Sequence, residues 1–490
     1  MIRTLSLSEL FAGIPHTRKG GDAEISSIEC DSRQVGKGCL FVCVVGTFQD
    51  GHVYAEQAVR MGASALLVER ELPLDVPQII VEDTRTVLAL CAAKFYGYPA
   101  KKMRMVGVTG TNGKTTTTYM LKSVAEQAGL KVGLIGTITN LIGDKIIPAA
   151  HTTPDAAELH RLLRRMADEG VQLCVMEVSS HSLDQRRVYG IEYDAAVFTN
   201  LTQDHLDYHK TFENYLAAKR ILFTQAKFAV LNCDDPHWTE LVEGLDCGRM
   251  TFGIREKADI YAKNIDITPA GVAFDIYLPS PEGKEARHIK LNISGLFSVF
   301  NAMGTAGAAL ALGFTPDEIA AGLQKVTSVS GRLEKLPVPN REYSVLLDYA
   351  HTPDALENVL KTVRGFTKNR LIVLFGCGGD RDRAKRPIMG EVAGRYSDLC
   401  IITSDNPRSE DPIDIMRAIE EGVSRSGCEY MMIEPRYEAI KKALLIGRPG
   451  DVIVLAGKGH ETYQEINGIK NHFDEKEIVA ELAAKLPDER

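Results

Sequence analysis

Short apolar runs recur along this chain, and stretches with helical spacing of apolar positions lie between them. In residues 1–100 the runs at 39–45, 65–69 and 78–82 predict strands, and the spacing at 53–61 and 84–96 predicts helices. Tyr98-Pro99-Ala100-Lys101-Lys102 reads as a linker. Further on, runs at 103–109, 131–138, 173–178, 195–199 and 228–232 predict core strands, with helical patterns between several of them. The runs at 344–347, 371–375, 399–403 and 452–456 repeat the style, each closing in a polar loop rich in glycine or proline. Such alternation predicts parallel sheets wrapped by helices, with ligands at the carboxyl ends of the strands. The expected fold is α/β in three domains. A small N-terminal α/β unit takes 1–100, a central mainly parallel sheet with helices on both faces takes 101–330, and a C-terminal Rossmann-like α/β unit takes 331–490.

Composition agrees with that outline, since 490 residues suit about three domains. Apolar content of 44% and charged content of 25% are ordinary for a soluble globular protein. The net charge of -8 argues against a nucleic-acid-binding surface, while local loops can still be cationic enough for small anions. Ten cysteines form no C-x-x-C pair, so neither a zinc site nor a redox motif is indicated, and most sit in apolar runs as reduced core residues. That usage suits the cytosol. The first residues lack a signal-peptide core, and no apolar run approaches the ~20 residues needed to cross a membrane. A cytoplasmic monomer with small-molecule substrates is expected, with no nucleic acid and no membrane span.

The predicted strand ends carry the chemistry. Gly110-Thr111-Asn112-Gly113-Lys114-Thr115-Thr116 follows the run at 103–108 and precedes a helix expected at 119–129. A glycine-rich turn between strand and helix, ending in Gly-Lys-Thr, is a phosphate cradle of the P-loop type. Gly110 and Gly113 let backbone N–H groups approach an anion, Lys114 adds a point charge, and the Thr115 hydroxyl can reach magnesium. Position 108 is valine where the general P-loop pattern has glycine. Glu177 closes the run at 173–176, across from the loop, where a carboxylate can hold magnesium. His205 and His209 are spaced to share a helical face, which leaves open a zinc hydrolase or a second magnesium site. On its own, Lys219 in the helix expected at 212–220 reads as a surface lysine. In the last block three loops follow three strands: 376–383, 405–408 and 457–461. Arg381 and Arg408 offer planar forks for carboxylates, and Asp405 and Glu461 could hold ammonium groups. Together they suit an amino acid with more than one carboxylate and amine.

The stretch T-G-T-N-G-K-T-T resembles the Mur ligase family, which includes the folylpolyglutamate synthases. Matching pieces span the chain: Asp31-Ser32-Arg33, 110–116, Thr152-Thr153-Pro154, 177–181, 204–209, Lys219, Asn301, Gly331-Arg332, 348–353, 376–383, 405–408 and 457–461. The resemblance implies ATP-dependent amide ligation in the cytoplasm, onto UDP-N-acetylmuramoyl-L-alanyl-D-glutamate. It implies an acyl phosphate at the glutamate γ-carboxylate that the incoming amine attacks. It assigns the nucleotide to Gly110, Thr111, Asn112, Gly113, Lys114, Thr115, Thr116, Asn301, Arg332 and Asp348. Magnesium would be held by Thr115, Glu177, His205 and Lys219, the last as a carbamate. Cys30, Ser32, Thr47, Phe48 and Gln49 would meet the UDP group. Thr152, Thr153, Ser179, Ser180, Gln185 and Arg187 would hold the muramoyl peptide. Catalysis would rest on Lys114, Glu177, His205 and Lys219.

Asp405-Asn406-Pro407-Arg408 matches the motif of family members that use meso-diaminopimelate. The amino-acid site implied is Arg381, Asp405, Asn406, Pro407, Arg408, Gly457 and Glu461. A buried, unpaired Arg408 is expected to reject lysine, which lacks the distal carboxylate. The rivals are a folylpolyglutamate synthase, a P-loop ATPase acting as motor or switch, and a binding module that uses ATP structurally. If one nucleotide meets both Lys114 and Arg332, the last domain must close over it, so an open and a closed form are expected.

Overall fold

The computed structural model describes residues 4–46, 49–254, 257–268 and 270–485. Three sheets organise the chain. The first has the spatial order Thr17–Lys19, Gln78–Ile80, Ala63–Val68, Cys39–Val42, Ser27–Glu29, and is antiparallel only at its first pair. The helix Thr84–Phe95 buries Val87, Leu88, Cys91 and Phe95 on it. Ala156 and Ala157, from the helix Ala156–Asp168 of the next unit, enter the same core and fasten the two units together.

The second sheet has eleven strands. Its centre runs parallel through Val132–Ile135, Leu173–Glu177, Arg104–Thr109, Ala195–Phe198, Phe228–Asn232, Gly248–Gly253 and Ile260–Thr268. Successive side chains of the central strand go to opposite cores. Val106 and Val108 pack with Val175 and Val197, whereas Met105 packs with Met176 and Ala196. Both faces are therefore covered, as parallel sheets require. After Arg104–Thr109 the chain first builds strands on one side and later on the other, so the loop at 110–113 sits where the strand order reverses.

Sequence reading assigned no strands to 260–291, yet Ile260–Thr268, Gly271–Ser280 and Gly283–Leu291 form an antiparallel meander at one edge. Only one face of it is dry. Val272, Phe274, Ile276 and Leu278 are buried and the residues between them are not, so no apolar run marks these strands. The helix expected at 119–129 begins earlier, at Lys114, because the loop anchors a threonine-rich first turn of weak intrinsic propensity.

The third sheet has the order Glu334–Leu336, Ser344–Asp348, Val452–Ala456, Leu371–Phe375, Leu399–Ile402, Glu429–Met432, parallel after its first pair. It too has a core on each face. A hairpin, Tyr463–Ile466 with Ile469–His472, follows it. All ten cysteines are free thiols. Among the described residues no helix is long and apolar enough to cross a membrane.

Candidate active site

Backbone shape at the phosphate loop demands glycine. Gly110 has φ 149° and a Cβ there would lie 1.9 Å from Thr199 Oγ1; Gly113 has φ 88° and its Cβ would lie 2.4 Å from Asn301 Oδ1. The helix Lys114–Gln127 that starts at this loop has no side-chain cap, so its first N–H groups are free to meet an anion. Lys114 folds over the loop and donates to the carbonyls of Gly110 and Thr111 at 2.8 Å each. Burial lowers its pKa.

Thr115 Oγ1 donates to Glu177 Oε2 at 3.1 Å, and Glu177 also accepts from the N–H and hydroxyl of Thr137. From the other sheet, Arg332 Nη2 donates to Thr115 Oγ1 at 3.1 Å while its guanidinium lies 4.9 Å from the Tyr349 ring centre. The buried Arg332 Nε has no partner, a donor left for a ligand. Asp348 is buried, and its two oxygens accept from the N–H groups of Leu333 and Ala350. It therefore shapes the Arg332 turn. Asn112 and Thr202 both donate to Asp354, at 2.8 and 3.2 Å, across the same junction. A cavity of about 380 Å³ lies between the sheets, lined by Asn112, Gly113, Thr115, Thr116, Asn301, Arg332 and Asp348. Phe297, Phe300 and Asn358 also line it. Sequence reading missed these three, because no motif marks two phenylalanines and an asparagine that packing alone brings to the cavity.

His205 and His209 meet in a different way from the shared helical face expected. The helix Leu206–His209 is one turn, His205 stands before it in the left-handed region at φ 55°, and Lys210 ends it at φ 69°. Both rings instead reach His181, with centroids at 4.8 and 5.4 Å. Burial holds His205 neutral, with a pKa of about 3, the form that ligates metals. His209 Nε2 is 2.9 Å from Ser180 Oγ. Lys219, which reads alone as a surface residue, is buried over the Tyr215 ring with its Nζ 4.4 Å from the centre. Burial, then the nearby Lys114 charge, takes its pKa well below the usual lysine range.

Among the described residues no three His, Cys, Asp or Glu side chains gather as a metal cage. That donor set does not suit a structural or hydrolytic zinc. It does fit magnesium, which takes one or two protein ligands and completes its shell with phosphate oxygens and water. Thr115 with Glu177 meets that requirement; the site at His205 would meet it once the Lys219 amine, whose pKa burial lowers, carried a carboxylate as a carbamate does.

On the acceptor side, Thr153 Oγ1 donates to the Glu177 carbonyl and accepts from Ser179 N–H. Thr152 and Thr137 hydroxyls are 3.0 Å apart. Ser179 caps the helix Ser180–Asp184. Arg187 donates to the Thr153 carbonyl and, through two nitrogens, to Gln185. These residues form one connected set. Cys30 is buried enough that its thiol pKa rises, with Asp155 nearby, and Ser32 Oγ is 3.5 Å from Gln57. Gln49 accepts from Tyr54, whereas Thr47 and Phe48 lie outside the described residues.

On the amine side, Asn406 links Glu461, at 2.9 Å, to Lys458, at 3.1 Å. Lys458, fully buried and 3.0 Å from Glu461, was not singled out in the sequence, where it reads as one charge in a polar loop. Gly457, at φ 110°, leaves room for Asp405, and Arg381 is exposed at the rim. Arg408 corrects the sequence reading. Its side chain is 21% exposed, donates to the Gly379 carbonyl at 2.6 Å and lies 3.3 Å from Glu465. It is neither fully buried nor unpaired, so an orphaned charge cannot be what excludes lysine. One cleft of about 800 Å³ joins the two sides: His181, Gln185 and His205 line it opposite Arg381, Asp405, Asn406, Arg408, Gly457 and Glu461.

The chain is similar to known proteins along its length. Residues 24–96 match the Mur ligase family catalytic domain, 108–309 the Mur ligase middle domain, and 331–459 the Mur ligase glutamate ligase domain. The chain is similar to the UDP-N-acetylmuramoyl-L-alanyl-D-glutamate--2,6-diaminopimelate ligases of two bacteria. One, from Clostridium acetobutylicum, is 47% identical over 98% of this chain and 100% of its own length. The other, from Geobacillus thermodenitrificans, is 48% identical over 98% and 99%. A solved structure of an enzyme of that name superposes with a TM-score of 0.68 at 34% identity, covering 98% of this chain and 99% of the other. MurF ligase from Thermotoga maritima, solved with ADP, gives 0.63 at 20% identity over 94% and 97%, a likeness of fold.

Proposed function

The chain belongs to the Mur ligase family, and from that premise we propose that it joins meso-2,6-diaminopimelate to the D-glutamate γ-carboxylate of UDP-N-acetylmuramoyl-L-alanyl-D-glutamate. It does so with ATP, in the synthesis of peptidoglycan precursors. The observation that carries this reading is the cleft in which Gln185 faces Arg381, Asp405, Asn406, Arg408, Gly457 and Glu461, and which shares Tyr349, His351 and Asp354 with the cavity lined by the phosphate loop.

A carboxylate is a poor electrophile until one oxygen becomes a good leaving group. The γ-carboxylate attacks the terminal phosphorus of ATP, the bond to ADP breaks, and an acyl phosphate forms. The neutral amine of diaminopimelate then attacks the acyl carbon, and inorganic phosphate leaves. Lys114 and the helix N-terminus hold the transferred group, and Arg332 adds charge from the opposite sheet. Magnesium supplies further charge neutralisation when bound, one ion at Thr115 and Glu177 and another at His205 and carbamylated Lys219. Ser179, Ser180, Gln185 and Arg187 orient the acceptor peptide, with Thr152 and Thr153 behind them. Asp405 and Glu461 take the ammonium group that does not react, the other nitrogen attacking as the free amine, and Arg408 takes the distal carboxylate, exchanging Glu465 for it. On this reading the enzyme works in the cytoplasm, where its ten free thiols stay reduced, and works as a monomer.

The test supplies ATP, magnesium and the UDP-dipeptide with either meso-diaminopimelate or L-lysine, read by phosphate release and product mass. The UDP-tripeptide should form with diaminopimelate, favoured over lysine by on the order of 10²-fold in kcat/KM. Equal or preferred use of lysine would discard the Arg408 assignment. Steady ATP hydrolysis without either product would discard the ligase reading.

A further inference from the structure

Behind the amine-side loops lies an ion pair that none of the steps above uses. Arg436 is fully buried, and its Nε donates to Glu475 Oε1 at 2.8 Å while its Nη2 donates to the Ala456 carbonyl at 2.8 Å. The third corner, Nη1, has no hydrogen-bond partner and points toward Asp405 Oδ2, 3.8 Å away. Glu475 is also fully buried, and its second oxygen is unpartnered.

Stability alone is a poor reason for this arrangement. Arg436 is the first residue of the helix Arg436–Ile446, the end at which the helix dipole disfavours a cation. A buried ion pair is commonly no better than an apolar pair of the same volume. What the pair does provide is a fixed fork: two corners are tied down, and the third faces the carboxylate that opens the Asp405–Arg408 loop. Gln464 Nε2 donates to the Asp405 carbonyl at 2.7 Å, but the carboxylate has little else to hold it. Its Oδ1 accepts only the N–H of Asn406, the next residue, and its Oδ2 lies against the bare Cα of Gly457.

We propose that Arg436, clamped by Glu475, is a positioning residue that fixes the Asp405 carboxylate for the ammonium group of the incoming diamino acid. This rests on the amino-acid assignment above. Neither residue lines the nucleotide cavity or the shared cleft, so the fork reaches a substrate only through Asp405, which lines the cleft.

The test is the double variant Arg436→Met/Glu475→Gln. It removes one charge of each sign, so the net charge is kept and neither member of the buried pair is left without its partner. KM for meso-diaminopimelate should rise at least tenfold, with kcat and the KM values for ATP and the UDP-dipeptide within about threefold of the parent. Arg436→Lys, which keeps Glu475 and one donor, should recover part of that rise. Three KM values moving together would mean general loosening, and an unchanged diaminopimelate KM would mean that Asp405 needs no fork; either overturns the proposal. Should the double variant fail to fold, Arg436→Lys decides by the same split. A parent enzyme that makes no diaminopimelate product would instead indict the functional reading, so the two failures are separable.

Discussion

His160 and Lys219 show how burial changes what a side chain can be. Both lie on helices whose apolar spacing was readable, yet nothing in the spacing says that a histidine or lysine faces inward. Arg408 was legible as a carboxylate fork, but its contact with Glu465 was not, because the partner comes from a hairpin more than fifty residues on. His160 is 2% exposed, and neither ring nitrogen has a partner. Burial takes its pKa from 6.5 to about 4. The folded state therefore binds fewer protons than the unfolded chain between those values. Its contribution is intact above pH 6.5 and is lost as pH falls toward 4, by about 3 kcal/mol in all. His181, His351 and His460 shift the same way, so acid should destabilise the protein generally. His160→Leu should narrow the fall in melting temperature between pH 7.5 and pH 5 relative to the parent, measured by circular dichroism. An identical fall in both would show that His160 is protonated without penalty.

Strands buried on both faces announced themselves, and those wet on one face did not. The runs at 228–232, 371–375 and 452–456 are strands with those bounds in the structure. The meander from Ile260 to Leu291 went unread because its apolar residues alternate. The phosphate loop is the element where sequence said most, since glycine, lysine and threonine at fixed spacing have few other uses. What sequence could not supply was the helix Leu296–Ala311 that brings Asn301 against Gly113. That contact makes Gly113→Ala a sharp test. A methyl group there meets Asn301 Oδ1 in a left-handed backbone, so stability should fall by on the order of 1–2 kcal/mol. Kd for ATP should rise at least tenfold while binding of the UDP-dipeptide stays near that of the parent. Calorimetric titration with each ligand reads the two separately, and equal weakening of both would point to unfolding instead.

At the scale of the molecule, the nucleotide cavity belongs to neither sheet alone. Arg332 meets Thr115, and Asp354 meets Asn112 and Thr202, across the junction. Motifs more than two hundred residues apart could be recognised singly, but which of them share a wall is decided by packing. Small-angle scattering should give a smaller radius of gyration with an ATP analogue and both substrates than with none, and superimposable profiles would count against closure. The chain crosses from the central to the C-terminal sheet once, through 325–330, and Gly331 and Arg332 follow at once. Gly331 has its own constraint, because a Cβ there would lie 2.4 Å from the His460 nitrogen. On the assignments proposed here, heredity can treat what is added and what it is added to as separate traits. A crossover within 325–330 hands over the amino-acid loops together with the Gly331-Arg332 pair that fits them, and leaves the phosphate loop and acceptor residues to the other parent. A lineage can then change the amino acid it adds in one genetic exchange, without a long series of coupled substitutions.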